Sequence, residues 1–459
     1  MRKLIKSSAL FCTLIILVSC SSPVHNEAGG AADAPDTVKN EAGTNKITLR
    51  QDPAGTLTIY NFYEDGFIEE AAKKFEAEHK GVDIVVTSFY DPEILKSAGG
   101  GGGEVAEQPD AMENYVLKIN TELTAGKGGD LFSTDYLPLY KYADSKTVMD
   151  LQPLLEEDAL LDNEDYFGRI FEAMKYKGGL YSLPMAFTYQ YFEFNNASKG
   201  NLLTGGDEFD KAIREGTAAD IHESPLTFDQ ALAKAKKISD ATGQPLVSSG
   251  RGLFELLFTA NIGEFIDIEN KTVDIDNDRF TGLLSLAVSL SDGGKSKGQP
   301  VLRDMLCYKE RLSIQDDSVP IAGDSGKVYA LTFTNYAINN HSKNKALAWE
   351  FLKYCISADA QESTQLSGLP VRRKALERWI DLSIRQMLTG MDDTYYKNLA
   401  KYIFGRTESN INMINAYNHI DYPLVKIVLD EAGYCFTGIK TPEEAAGNLQ
   451  NKISTILQE

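Results

Sequence analysis

The sequence predicts an α/β protein of two lobes, each a mixed sheet flanked by helices, with strand crossings joining the lobes. Three stretches carry that expectation. Leu57 to Phe62, Phe67 to His79 and Val82 to Phe89 read as strand, helix and strand, with Ile68, Ala71, Ala72 and Phe75 at helical spacing between two β-rich runs. Such a βαβ unit makes parallel sheet with a right-handed crossover. Phe187 to Phe194 is aromatic or β-branched with Thr188, Gln190 and Glu193 between, the composition of a strand buried on at least one face. Val328 to Ile338 is a second strand-rich run of the same kind.

The amino terminus comes first in chain order. Arg2, Lys3 and Lys6 precede an apolar run from Ala9 to Val18, the pattern of a secretory signal and too short for a bilayer core that needs about 20 residues. Leu17-Val18-Ser19-Cys20 resembles a lipobox, at which the leader 1–19 is cut and the new terminal thiol acylated, palmitate being one such chain. An ordinary signal peptide whose core happens to hold cysteine is the competing assignment. Residues 20–55 are poor in anything to bury, which predicts a lipid-anchored, disordered tether reaching roughly 30 Å.

The 459 residues allow two or more domains, and 43% hydrophobic with 24% charged is ordinary for a globular protein. A formal net charge of −20 argues against a nucleic-acid partner, whose phosphates demand clustered Lys and Arg, and favours solubility. Cys307, Cys355 and Cys435 are an odd set without paired spacing, so buried apolar thiols are expected rather than a disulfide or zinc framework. The five histidines, His25, His79, His222, His341 and His419, show no H-x-x-x-H or H-E-x-x-H spacing, so no metal and no cofactor is expected.

Asp91 to Pro109, with its GGGGG run, reads as a loop insertion; no Lys-Ser/Thr follows that would make it a phosphate cradle. Glu113 to Leu123 is helical and Leu131 to Ser133 a short strand. Tyr166 to Met174 is a further helix, leading to a hairpin turn at Gly178-Gly179. Pro184 should end that ribbon, since it cannot donate to a ladder, and a new strand should begin after it. Thr227-x-x-Gln230 is a capping box for a helix that Gly243 closes. Arg251 to Ile262 and Asn277 to Ser291 read as helices, with a hairpin around Asn270-Lys271 between them. Lys345 to Ile356 is a helix with Cys355 on its apolar face, and Thr441-Pro442-Glu443-Glu444 caps the last one.

In their order, the LYSLP segment with the strand ending in Asn195-Asn196, GGDLFSTDY, YAINNHSKNKALAWEFLKYCIS and Gly368-Leu369-Pro370-Val371 resemble the extracellular solute-binding proteins (family 1, maltose-binding-protein-like) of bacterial ABC importers. The resemblance implies a type II periplasmic-binding-protein-like fold. Lobe I would comprise 56–187 plus 330–369, and lobe II 191–325 plus 373–459. Crossings would fall at 187–194, 326–337 and 368–373. It further implies a monomer held outside the cytoplasm on the cell membrane, catching a small polar solute, most often a carbohydrate, for ABC permease subunits, with no reaction to catalyse.

Ligands of open α/β sheets sit beyond the carboxyl ends of strands. That rule selects Tyr63, Glu64 and Asp65 after the first strand, and Asp135 and Tyr136 after the short one. Competing roles are a solvated helix entry with Asp65 at a helix amino terminus, and an N-cap by Asp135. Thr188, Tyr189 and Gln190 lie where the first crossing passes the cleft, unless they are one face of a half-buried sheet. Arg251 could reach in from a second-lobe helix or be a surface residue; Tyr329, Phe333 and Thr334 follow the second crossing, where core is the alternative for Phe333. Sugars present planar sets of hydroxyls and weakly apolar faces, which aromatic platforms and planar polar groups hold. Tyr would supply the stacking, because Trp349 and Trp379 lie on helices that pack. The alternatives are a lipid-anchored glycoside hydrolase with Glu64 and Glu193 as its carboxylates, and an adhesion lipoprotein of the same fold.

Overall fold

A computed structural model describes residues 37–39, 45–47, 54–90, 109–161, 165–194, 206–218, 224–247, 249–291, 299–307, 309, 312, 319–420 and 422–458. The leader 1–19, Cys20, most of the tether, the insertion 91–108 and Asn195-Asn196 lie outside them. Residues 1–49 and 50–459 make separate compact units. In the first, β1 (Thr37–Lys39) and β2 (Asn45–Ile47) pair antiparallel inside the stretch read as a structureless tether.

The second unit is built on a mixed sheet of ten strands. β3 (Gly55–Asn61) and β4 (Val82–Ser88) run parallel in register from Gly55 opposite Val82 to Asn61 opposite Ser88, and the helix Gly66–Glu78 joins them. Its face of Phe67, Ile68, Ala71, Ala72 and Phe75 is buried, as the spacing predicts. β5 (Leu131–Ser133) adds in parallel beside β3. Next come β6 (Leu183–Phe194), β7 (Leu226–Thr227), the separate ribbon of β8 (Ile266–Asp267) with β9 (Thr272–Val273), β10 (Leu302–Leu306) and β11 (Val319–Ala322). β12 (Tyr329–Ile338), β13 (Leu369–Pro370) and β14 (Ala416–Tyr417) complete the set.

β6 is the strand the rest depends on. Leu183 to Tyr189 pair with Tyr336 to Ala330 of β12, and β13 takes Phe187 and Ala186 on the other edge. Beyond that, Gln190 to Phe194 pair with β10, and Tyr191 and Phe192 with β11, which leads to β7. One strand therefore serves two sets of neighbours, β3–β5 side through β12 and β7 side through β11. This is the mixed α/β, two-lobed architecture with strand crossings.

Three local expectations need correction. Pro184 does not end the ribbon; it lies within β6, opposite Asn335. The missing N–H is tolerated because the Asn335 main chain is satisfied elsewhere, its N–H donating to Asp135 Oδ1 at 3.2 Å and its carbonyl accepting from Thr134 N at 2.9 Å. The hairpin turn is one residue earlier than read: Tyr176 bridges Gly179, with Lys177 at φ 48° and Gly178 at φ 82°, both left-handed as a two-residue turn of this kind requires. The helix read from Tyr166 is also shorter, Gly168–Ala173, because Tyr166 bridges Arg372 and Phe167 N donates to Val371 O at 3.0 Å.

Helix ends follow the sequence closely. Thr227 and Gln230 form the capping box of Phe228–Thr242, and Gly243 closes that helix in the left-handed region. Thr441 N donates to Glu444 Oε2 at 2.9 Å while Glu444 N donates back to Thr441 Oγ1 at 3.2 Å. Cys307, Cys355 and Cys435 are free and buried. Trp349 is buried with Nε1 donating to Asp158 Oδ2 at 2.8 Å. Among the described residues no helix is long and apolar enough to cross a membrane.

The helices Gly250–Ala260 and Asp278–Ser289 approach so closely that a Cβ on Gly250 would stand 2.3 Å from the Ala287 carbonyl oxygen and 2.8 Å from Ser291 Cβ. Backbone cannot step aside as a side-chain tip can. Gly250→Ala is expected to destabilise by about 1–3 kcal/mol through overpacking, read as a lower urea midpoint. An unchanged midpoint would mean that the two helices can move apart freely.

Candidate functional site

The carboxyl ends of β3 and β5 open on a pocket of about 280 Å³, walled by Asn61, Phe62, Tyr63, Glu64, Asp65, Ser133, Asp135, Thr334, Tyr336, Gln365 and Ser367. Five of the residues selected from the sequence, Tyr63, Glu64, Asp65, Asp135 and Thr334, line it together. Tyr136 stands beside them: its ring meets Tyr63 edge-on at 5.9 Å and Phe62 at 5.1 Å, and its hydroxyl touches that of Tyr63.

Asp65 serves two ends. Its Oδ1 accepts from Phe67 N at 3.0 Å and Ile68 N at 3.2 Å, capping the helix Gly66–Glu78, while the Thr334 hydroxyl bonds the same carboxyl. Burial nevertheless pushes its pKa up, against those hydrogen bonds. Asp135 is not an N-cap; it accepts from Asn335 N and from Asn335 Nδ2 at 2.8 Å. Burial, with the Asp65 charge adding to it, pushes the Asp135 carboxyl up to about 7. The Tyr63 phenol is also raised, chiefly by burial.

Thr334 carries φ 57°, a left-handed backbone that β-branched residues rarely adopt, in the middle of β12. Such a conformation costs of order 1–3 kcal/mol and persists only where neighbours over-determine it. Here they do: Asn335 on one side is tied to Asp135 and Thr134, and the hydroxyl on the other reaches Asp65. Beneath, the buried Tyr336 donates to Asn61 Oδ1 at 2.6 Å, and Tyr115 donates to the Ser133 carbonyl at 2.8 Å. Thr332 Oγ1 donates to the Tyr417 hydroxyl at 3.2 Å, which brings β14 to the same side of β12.

The remaining selected residues stand elsewhere. Thr188 is buried and donates to the Cys307 carbonyl at 2.6 Å; Tyr189 is buried with its hydroxyl accepting from Asn410 Nδ2 at 3.2 Å. Gln190 is half-buried opposite Leu306. Arg251 is exposed, and its guanidinium lies over Gly433. The Tyr329 hydroxyl accepts from Gly263 N at 3.3 Å, and Phe333 pairs through its backbone with Ala186, next to Thr334. Glu193 is ion-paired to Arg303 at 2.7 Å and is not part of the pocket wall, so the sheet does not set it against Glu64 as a second carboxylate. A larger cavity of about 680 Å³, walled by aliphatic and proline side chains such as Leu123, Pro423, Leu424 and Ile427 and equally by polar ones such as Asn120, Lys141, Thr147 and His341, holds none of the selected residues and does not lie at the β3 and β5 strand ends. The smaller pocket, at strand ends and with convergent polar groups, is the better candidate.

Thr334 of the second crossing joins the wall, and Gln365, Ser367 and Tyr336 complete it from more than two hundred residues after the loops that begin it, which no local pattern announces. Among the described residues no group of three His, Cys, Asp or Glu side chains could hold a metal ion.

Residues 63–288, which begin at the pocket's own tyrosine, match the family model of the bacterial extracellular solute-binding protein. The match covers just under half of the 459 residues and identifies that stretch with the bacterial extracellular solute-binding proteins. No curated protein sequence matches the chain. Among solved structures, an ABC substrate-binding protein from Listeria monocytogenes in complex with cycloalternan is similar with a TM-score of 0.55 and 15% identity, covering 88% of this chain and 99% of that one. The cyclic alpha-maltosyl-1,6-maltose binding protein from Arthrobacter globiformis gives 0.54 at 16% identity, 88% and 99%. The maltose-bound MalE3 of T. maritima gives 0.53 at 16%, 87% and 99%. At such identities the likeness shows the fold alone. A solute-binding protein of this family is extracellular and acts by holding its solute; neither a hydrolase nor an adhesin is favoured by the match.

Proposed function

We propose that the chain is the extracytoplasmic substrate-binding lipoprotein of an ABC importer, and that it captures a sugar or oligosaccharide in the pocket beyond β3 and β5. The observation that carries the reading is the meeting of Tyr63, Glu64, Asp65 and Asp135 with Thr334, Gln365 and Ser367 around about 280 Å³. Planar carboxyls and an amide suit paired hydroxyls, and Tyr63, about a third exposed beside Tyr136, offers a ring edge or face at the mouth. The solved relatives named above, with cycloalternan, maltosyl-maltose and maltose as their ligands, favour a carbohydrate.

On this reading residues 1–19 are the leader, Cys20 carries the acyl chains that hold the protein at the membrane, and 20–55 links it to the globule. Lobe I is 56–187 plus 330–369 and lobe II 191–325 plus 373–459, with β6, β12 and β13 as crossings. A ligand touching both lobes favours the shut state by its differential affinity, and the shut state is what the permease receives. The protein holds its guest without altering it.

A bound saccharide is expected to stabilise the folded chain by about 2.7 kcal/mol at a hundredfold excess over Kd. Melting in panels of mono- and oligosaccharides, followed by mass spectrometry of the sugar, checks this. A saturable rise with the sugar intact supports binding; cleavage products, or no response to any saccharide, would defeat the proposal.

A further inference from the structure

We infer that the guest of this pocket bears an ammonium on its polyhydroxyl frame, an amino sugar or amine-bearing glycoside, and that acidic saccharides are rejected. The inference rests on the pocket being the saccharide site. Three carboxyl side chains, Glu64, Asp65 and Asp135, belong to its wall, and no Lys, Arg or His does. The ionisable groups around Asp135 are Asp65, Tyr63, Tyr115, Tyr336 and Tyr417, every one of them an acid. Its hydrogen bonds come from neutral donors, the Asn335 main chain and amide and the Thr334 main chain.

Two carboxyls held together away from water, with no cation beside them, raise each other and are relieved by an opposite charge. The protein supplies none, so the guest is the natural source. Asn61 points to the same guest from a second direction. It is 1% exposed, its Oδ1 is taken by Tyr336, and its Nδ2 has no hydrogen-bond partner. A buried amide N–H left unpaired is costly, and a hydroxyl or ring oxygen entering the pocket would satisfy it. Together the wall asks for one acceptor oxygen and one positive group. An inorganic cation fits less well, since among the described residues these carboxyls do not cluster closely enough to hold a metal. Tyr63 and Tyr136 at the rim would face an ammonium favourably with their rings. A uronate would bring a further acid to a wall that already holds three carboxyl groups and no cation.

The test titrates the full chain calorimetrically, at about pH 6.5, with matched trisaccharides of glucosamine, glucose and glucuronic acid. Expected is binding of the glucosamine form at least about tenfold tighter than the glucose form, with none detected for the glucuronate, as charge-assisted hydrogen bonds imply. Binding of the amine should also expel a proton from the carboxyl pair, seen as a heat that scales with the buffer's ionisation enthalpy. Asp135→Asn should cut the glucosamine preference; Glu64→Gln, on the open side of the pocket, gives the same readout should the first variant not fold. Equal affinity for the amine and neutral forms, or tighter binding of the uronate, overturns this inference while leaving the saccharide proposal standing. Binding of none of the three in either calorimetry or melting overturns both.

Discussion

Raising the pH from about 5 to about 8 is expected to weaken the folded 50–459 unit, and Asp135→Asn is expected to remove most of that slope. The carboxyl is pushed up to about 7 from an ordinary 3.8, first by burial and then by Asp65. Between those two values the native state keeps a proton that the unfolded chain has released, so stability is fullest at the acid end and falls as pH climbs through the folded value. Over the whole interval from 3.8 to about 7 this corresponds to on the order of 4 kcal/mol, of which the part above pH 5 is on the order of 3 kcal/mol. Asp65, also raised, works in the same direction. Urea midpoints across the range, wild type against variant, separate this local effect from the general self-repulsion of a chain with net charge −20, which both share. A wild-type slope that the variant retains in full would show that Asp135 titrates as an ordinary carboxylate.

The same residue shows which parts of the site can be read from sequence. Asp135 follows a three-residue strand and Tyr63 to Asp65 follow a seven-residue one, so the rule that ligands lie beyond strand ends selects them without any knowledge of distance. Helices announce themselves for a similar reason: Ile68, Ala71, Ala72 and Phe75 recur at a spacing that only one conformation puts on one face. β6 defeats such reasoning. It has partners on both edges and cover on both faces, so nearly every residue from Leu183 to Phe194 is buried and alternation marks no side as the cleft. Thr188 and Tyr189 accordingly spend their hydroxyls on Cys307 and Asn410. Gln365 and Ser367 carry no local signal at all, because only the return of the chain beside β6 brings them to loops some three hundred residues earlier. Thr334 is legible as a strand residue, but its left-handed backbone is a product of three tertiary hydrogen bonds.

Phe280→Ala is expected to cost about 3–5 kcal/mol, as large-to-small changes of a fully buried ring do. The residue is 0% exposed, and Phe254, Phe258 and Phe265 each meet it edge-on, at 5.6, 6.3 and 5.5 Å. Edge-to-face pairs add to what burial alone supplies, so truncation loses both the transferred area and three ring contacts. Collapse of the gap is hindered: the helices Gly250–Ala260 and Asp278–Ser289 already touch through the Gly250 contact at Ala287 and cannot close further there. Phe280→Leu, which refills most of the volume without the ring edges, should lose clearly less. The pocket draws its walls from the ends of β3 and β5, from β12 and from residues 365–367, none of which belongs to this ring cluster. Saccharide capacity per folded molecule should therefore stay at the wild-type level while the urea midpoint drops. A loss under about 1 kcal/mol would mean that the cluster is loose enough to refill the gap, and a loss of capacity in still-folded protein would mean that this core and the pocket are mechanically one body.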